Sequence, residues 1–98
     1  MTIEKTLNGT EWNVKLIGRL DTTTAPQLEA EFKTNISGVE TLILDFAELE
    51  YLSSAGLRVI FKAQKAMNSK GSMKLCNVNE SIMEVFEITG FADILTIE

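Results

Sequence analysis

The sequence predicts an α/β fold, a mixed and largely parallel sheet of four to five strands with helices and an N-terminal β-hairpin. Three observations predict it. An Asn-Gly pair joins two alternating segments near the N-terminus, helical apolar repeats separate the later strands, and strands joined through helices need crossovers, which favour parallel pairing. With 98 residues, 45% of them hydrophobic, the chain is expected to form one domain spanning residues 1–98.

The N-terminal hairpin is predicted from the period of its side chains. Residues 3–7 and residues 12–16 each alternate between two faces, and Asn8-Gly9 lies between them. Both Asn and Gly tolerate positive φ, so this pair predicts a two-residue turn. The second segment is expected to bury one face.

Three helices are predicted from apolar spacing and capping residues. The first is expected to begin near Thr24, with Pro26 in its first turn and Gln27 three residues after the Thr, as in a capping box. The second is expected over residues 54–69, and the third follows Asn79, which can cap it.

Two further strands are predicted between the helices. The run Thr41–Phe46 contains consecutive apolar residues, which indicates burial on both faces in the middle of a sheet, with a short loop after it. Residues 73–76 are expected to form a short strand. The pattern of residues 94–97 fits either a last strand or a helical turn.

The composition excludes most enzyme chemistries. There is no His and only one Cys, so the chain has no imidazole base, no His-ligated or Cys-rich metal site and no internal disulfide. Nine basic against fourteen acidic residues give a net charge of −5, which disfavours nucleic acid as a partner. We therefore expect no catalytic residue, metal or cofactor. The sequence contains neither a signal-peptide pattern nor an apolar run of about 18–20 residues. We therefore expect a cytoplasmic protein that does not insert into a membrane.

Residues 45–57 are the segment most informative about function, because a buried strand ends there and two serines precede a helix. Unpaired N–H groups at a helix N-terminus favour an anion, so a phosphate on Ser53 or Ser54 would lie in a suitable field. Gly56 in the first turn would leave the approach open. A structural explanation also fits, since Ser is a common N-cap and Gly near a helix start allows close packing.

Several segments together resemble the STAS domain family, the anti-sigma factor antagonists and their relatives. The run Leu52–Ile60 looks like the family signature, and Gly18–Asp21 resembles the Gly-x-Leu-Asp turn into the first helix. Leu42–Asp45 is similar to the buried strand that ends in Asp, and Gly71 precedes the next strand as in the family. The likeness covers nearly the whole chain, with the length and order of a single-domain antagonist.

The resemblance implies a phosphorylation switch. The usual family motif is Asp-Ser-Ser/Thr-Gly-Leu, whose first Ser accepts phosphate and aligns with Ser54. An unphosphorylated antagonist of this type binds an anti-sigma factor that is also a serine kinase, and so frees a sigma factor. Phosphorylation releases it until a serine phosphatase resets it. Ser53 replaces the family's Asp and Ala55 its second hydroxyl residue, which makes Ser53 an alternative acceptor.

The resemblance also implies a partner-binding surface at the start of the second helix. Arg58, Lys62 and Lys65 share one helical face, either as a solvated basic stripe or as a patch for an acidic partner surface. Asp21 would repel a phosphate or orient the Ser54 hydroxyl, or it would instead cap the turn before Thr24. The expected partner-binding residues are Asp21, Ser53, Ser54, Ala55, Gly56, Arg58, Lys62 and Lys65.

Two other functions are compatible with the sequence. A non-phosphorylated STAS scaffold subunit of a transporter-associated or stressosome-like assembly would explain Ser53 in place of Asp. A small hydrolase or nucleotide-binding protein would use Ser54 as nucleophile, but neither His nor a Gly-rich Walker loop is present. Asp45, at a strand end, would be catalytic or loop-fixing. Gln64, within an apolar helical arc, needs a hydrogen-bond partner or lies near the edge.

Overall fold

The chain folds into a four-stranded sheet with three helices, which confirms the predicted fold class. The computed structural model describes residues 1–98. In chain order the elements are β1 (Thr2–Asn8), β2 (Glu11–Leu20), α1 (Ala25–Asn35), β3 (Thr41–Leu52), α2 (Ser54–Asn68), β4 (Ser72–Cys76) and α3 (Glu80–Thr89), with 3₁₀ turns at Ile36–Gly38 and Phe91–Asp93. The strand order is β1-β2-β3-β4, with β1 antiparallel to β2 and the other neighbours parallel.

The hairpin turn lies one residue later than predicted. Asn8 pairs with Glu11, so the two turn residues are Gly9 and Thr10. Gly9 has a φ of +63°, whereas Asn8 and Thr10 keep negative φ. A turn that needs positive φ only at its first central position uses Gly there, and Asn8 instead serves as the last residue of β1.

Strand β3 is twice as long as predicted. The expected loop after Phe46 is strand up to Leu52, because β3 continues along β2 beyond the end of β4. Two register shifts each insert an extra residue into β3, one before Glu48 and one before Tyr51. Each shift places two exposed residues in succession, which breaks the alternation from which a strand is recognised in sequence.

The hydrophobic core lies on one face of the sheet. Leu42, Leu44 and Phe46 are fully buried, whereas Ile43 and Asp45 on the opposite face of β3 remain partly exposed. The predicted burial on both faces is therefore wrong, because the apolar Ile43 lies on the face that the helices leave open. Leu49 and Leu52 extend the buried row to the end of β3, where α2 begins.

The C-terminal segment lies beside β4. For residues 94–97 of this segment, the sequence was compatible with either a strand or a helical turn. Leu95 is buried, and Ile97 makes a single parallel bridge to Leu75. Glu98 donates its backbone N–H to the Leu75 carbonyl, and its carboxylate lies 3.3 Å from the Lys74 ammonium. The segment thus adds one strand-like bridge to the sheet edge.

Candidate functional site

The candidate site lies where β3 ends and α2 begins. Ser53 is the N-cap of α2, with its hydroxyl accepting the Gly56 N–H at 3.4 Å. The Ser53 N–H donates to the Leu20 carbonyl at 2.9 Å, which fixes this junction against the end of β2. Ser53 is half-buried and carries the capping role that the sequence offered as the structural explanation.

Ser54, the first residue of α2, is exposed, and its hydroxyl has no hydrogen-bond partner in the chain. The backbone N–H groups of Ser54 and Ala55 are also without acceptors, as expected for the first turn of a helix. The free hydroxyl therefore lies at the positive end of a 15-residue helix, where a negative charge is favoured.

Gly56 is buried beneath the first turn of α2. A Cβ atom at this position would lie 2.7 Å from Leu20 Cγ and 2.8 Å from Leu52 Cδ1. The glycine lets α2 pack closely on the ends of β2 and β3, as the close-packing explanation proposed. Its contribution to any partner surface is indirect, through the position of Ser54 and the half-buried Ala55.

Asp21 caps the turn between β2 and α1. Its Oδ1 accepts the N–H groups of Thr23 at 3.0 Å and Thr24 at 3.1 Å, and its Oδ2 lies 3.5 Å from Arg19 Nε. Asp21 makes no hydrogen bond to Ser54, so the capping alternative describes its contacts. The Thr24 hydroxyl donates to the Arg19 carbonyl at 2.8 Å instead of capping α1, and the predicted capping box with Gln27 is wrong.

The three cations predicted on α2 are all exposed but have different contacts. Lys62 Nζ lies 2.9 Å from a carboxylate oxygen of Glu29 on α1. Lys65 Nζ lies 5.5 Å from the centre of the Phe61 ring. Arg58, one turn from Ser54, makes neither an ion pair nor an aromatic contact. The basic stripe is thus partly neutralised, and Arg58 is its freely available member.

Sequence reasoning missed an aromatic–guanidinium pair beside the serines. Tyr51 is 43% exposed, and the Arg19 guanidinium lies 4.3 Å from its ring centre. The two residues are register partners across β2 and β3. Extending the predicted strand past Phe46 would not have been enough to pair them, because two register shifts in β3 bring Tyr51 opposite Arg19.

Asp45 has a loop-fixing role. Its Oδ1 accepts the Ala47 N–H at 2.9 Å and the Asn77 side-chain amide at 3.0 Å. Partial burial raises the pKa of this carboxyl, but these two hydrogen bonds and the Lys15 charge outweigh burial and hold the pKa below its usual value. Asn77, with a φ of +56°, turns the chain after β4.

The structure shows neither a cluster of metal-ligating side chains nor a helix that could span a membrane. No three His, Cys, Asp or Glu side chains lie close enough together to hold a metal ion. None of the helices combines the length and the apolar character needed to cross a bilayer.

Curated proteins with similar sequences include regulatory antagonists. The chain is 38% identical over 84 residues to BtrV of Bordetella bronchiseptica, an anti-sigma factor antagonist by name, covering 84% of this chain and 72% of BtrV. It is 31% identical over 98 residues to the anti-sigma-B factor antagonist of Staphylococcus aureus, covering 97% of this chain and 90% of that protein. These relatives are named as regulators, not as enzymes.

Solved structures with the same fold include anti-sigma factor antagonists and a sulfate transporter family protein from Wolinella succinogenes. The anti-sigma factor antagonist SpoIIAA of Bacillus, in its unphosphorylated form, superposes with a TM-score of 0.79 at 20% identity, over 99% of this chain and 87% of SpoIIAA. An anti-sigma factor antagonist from Mycobacterium paratuberculosis gives 0.88 at 18% identity, over 98% and 83% of the two chains. The STAS domain family model matches residues 3–98. This chain belongs to the STAS domain family.

Proposed function

We propose that this STAS protein is an anti-sigma factor antagonist switched by phosphorylation of Ser54. The observation that carries the proposal is the Ser54 hydroxyl, exposed and without a hydrogen-bond partner at the start of α2, at the position where the family motif has its acceptor. The names of the relatives in Bordetella and Staphylococcus support the antagonist class. The protein itself would act by binding and not by catalysis.

The contacts of the two serines favour Ser54 over Ser53 as the acceptor. Ser53 is half-buried and its hydroxyl caps α2, so phosphorylation there would cost a cap and require the side chain to turn outward. Ser54 needs no such rearrangement. In the transfer, Ser54 Oγ forms a bond to the γ-phosphorus of ATP, the bond to ADP breaks, and the hydroxyl proton passes to a base of the kinase.

The proposed partner is an anti-sigma factor that is also a serine kinase. The unphosphorylated surface around Ser54, Ala55 and Arg58 would bind this partner, and the sigma factor would be released in the cytoplasm. A phosphate adds about −1.5 to −2 charges that the interface would have to desolvate. A penalty of about 3 kcal/mol lowers affinity on the order of 100-fold. A serine phosphatase would then restore the binding form.

Phosphorylation by the partner is the direct test. The protein is incubated with ATP and the anti-sigma factor that co-purifies with it, followed by mass spectrometry of intact protein and peptides. We expect one phosphate on Ser54, none in Ser54→Ala, and normal phosphorylation of Ser53→Ala as the matched control. A chain that stays unmodified, or a phosphate on Ser53 alone, would refute the proposed acceptor.

The effect on binding is measured by calorimetry with the same partner. We expect Ser54→Ala to bind as the wild type does and Ser54→Asp to bind about 10- to 100-fold more weakly, since it introduces a charge into the surface. Circular dichroism and urea unfolding verify that both variants are folded. Equal affinities for the two folded variants would contradict the switch.

The scaffold function remains the second candidate, on the observation that Ser53 stands where the family has Asp. The structure bears on this observation, because Ser53 supplies the N-cap that an Asp would also supply. Pull-down from the native cell distinguishes the two functions. A kinase-like ATPase as the bound protein supports the antagonist, whereas a transporter ATPase or copies of this chain support the scaffold.

A further inference from the structure

We propose that Arg58 binds the phosphate of phosphorylated Ser54 within helix α2, so that phosphorylation withdraws this cation from the partner. The inference rests on the proposed function and names the residue through which the modification acts. It predicts that phosphorylation changes the surface twice, by adding an anion and by engaging the free cation beside it.

The positions of the two residues carry the first step. Both are exposed on α2, four residues apart. Residues with this separation lie about 6 Å apart along the helix axis and about 40° apart around it. An acidic group four residues N-terminal to a basic one is the favourable order for an intrahelical ion pair. A phosphate on Ser54 would therefore be within reach of the Arg58 guanidinium.

The contacts of the other cations carry the second step. Lys62 is held by Glu29 at 2.9 Å, and Lys65, about 16 Å further along the helix than Ser54, lies over Phe61. At the end of β2, Arg19 lies over Tyr51 and 3.5 Å from Asp21. Arg58 has no such contact to give up, so it can pair with a phosphate at the lowest cost.

The chemistry of the two groups carries the third step. A guanidinium offers two parallel N–H donors that match two oxygens of a phosphate. An uncharged serine hydroxyl has no such pair of charged oxygens and does not hold the guanidinium. Before phosphorylation Arg58 is thus free to pair with a carboxylate on the partner. After phosphorylation it is engaged within the chain, and the partner's carboxylate faces a phosphate instead.

The pair is tested first in the isolated chain. Phosphoserine is incorporated at position 54 during translation, without a kinase, in the wild type, Arg58→Gln and the control Lys65→Gln, and Tm is compared with the unmodified forms. We expect phosphorylation to raise the wild-type Tm by about 3–6 °C, through the helix N-terminus and the ion pair together. The gain should halve in Arg58→Gln and persist in Lys65→Gln. A gain no larger in the wild type than in Arg58→Gln overturns the proposal.

The second test uses the anti-sigma factor that co-purifies with the chain. We expect Arg58→Gln to bind about tenfold more weakly than the wild type, and phosphorylation of Arg58→Gln to cost only about tenfold more, against about 100-fold in the wild type. A further 100-fold loss in Arg58→Gln would show that the two residues act independently and would refute the inference. If phosphorylation leaves wild-type affinity unchanged, the proposed function fails, while the Tm comparison still decides whether the pair forms.

Discussion

The Asp21 carboxylate organises the turn that brings β2 beside the start of α2. Its hydrogen bond from the Thr24 backbone is the largest influence on its pKa, and together with the contacts of Thr23 and Arg19 it outweighs partial desolvation and holds the pKa below its usual value. The ionised form is therefore the one that the fold favours. Because Leu20 precedes Asp21 and accepts the Ser53 N–H, this turn also supports the candidate site.

We predict that Asp21→Ala lowers Tm by about 3–6 °C at pH 7, as expected for loss of a capping side chain. The Asp21 carboxylate contributes its full stabilisation at pH values above its pKa in the unfolded chain, which is about 3.9. This stabilisation is lost as the pH falls through the lower pKa that the carboxyl has in the folded protein. The Tm difference from wild type should therefore shrink below about pH 4. Thermal unfolding between pH 2 and 7 measures it, with Asp93→Ala as the exposed control. A difference that stays constant down to pH 2 would contradict the capping role.

Single residues also mark where sequence reasoning succeeds. The start of α2 at the Ser53-Ser54 pair was predictable, because capping depends on local residue type. Gln64 was recognisable as a polar residue in an apolar arc of α2. The structure buries Gln64, with its amide donating to Asn68 at 2.8 Å and its Oε1 unpaired. Which member of the basic stripe is free could not be predicted, because the contact of Lys62 depends on Glu29, 33 residues away.

At the scale of elements, the starts of the three helices were predicted within about one residue, whereas the second half of β3 was not predicted. Capping residues and apolar spacing are local signals, and Ser53 and Asn79 do cap α2 and α3, whereas α1 begins at the predicted place without the predicted side-chain cap. The second half of β3 pairs only with β2, and its two extra residues disrupt the period that reveals a strand. The second half of β3 also places Tyr51 beside Ser53 and Ser54. The part of the strand that was not predicted from sequence is therefore the part that borders the candidate site.

The connection from α2 to β4 depends on a close backbone approach. A Cβ at Gly71 would lie 1.8 Å from the Glu40 carbonyl oxygen, and Ser72 donates its N–H to the same carbonyl at 2.9 Å. Because the obstructing atom is backbone, a side chain cannot be accommodated without moving the start of β3. This explains in physical terms the Gly that the family resemblance placed before this strand.

We predict that Gly71→Ala destabilises the protein by about 2–4 kcal/mol, through the forced separation of the backbone at Glu40. Gly38→Ala is the matched control, because a Cβ there meets no atom within 4 Å, and we expect a change within about 0.5 kcal/mol. Urea unfolding of both variants measures the two free energies. Equal stability of the two variants would show that the chain relaxes around Gly71.

At the scale of the whole molecule, the sheet is covered on one face only, and the chain closes its core with the C-terminal segment. That arrangement follows from contacts between distant parts of the sequence, which the local pattern of residues 94–97 could not reveal. The candidate site lies at the ends of β2 and β3, whereas the segment closes the edge beside β4. The proposed partner surface and the C-terminal closure of the core therefore lie at different places on the sheet.

The role of the C-terminal segment in closing the core predicts the effect of truncating the Leu95 side chain, which is only 6% exposed. Leu95→Ala should lower the free energy of unfolding by about 2–4 kcal/mol, since it removes buried apolar volume and leaves a cavity. A domain of this size has about 5–15 kcal/mol in total, so the variant should still fold at 25 °C. Its neighbour Ile94 is 47% exposed, and Ile94→Ala should change stability by about 0.5 kcal/mol or less. Urea unfolding provides both values, and an equal loss for the two variants would mean that the C-terminal segment does not close the core.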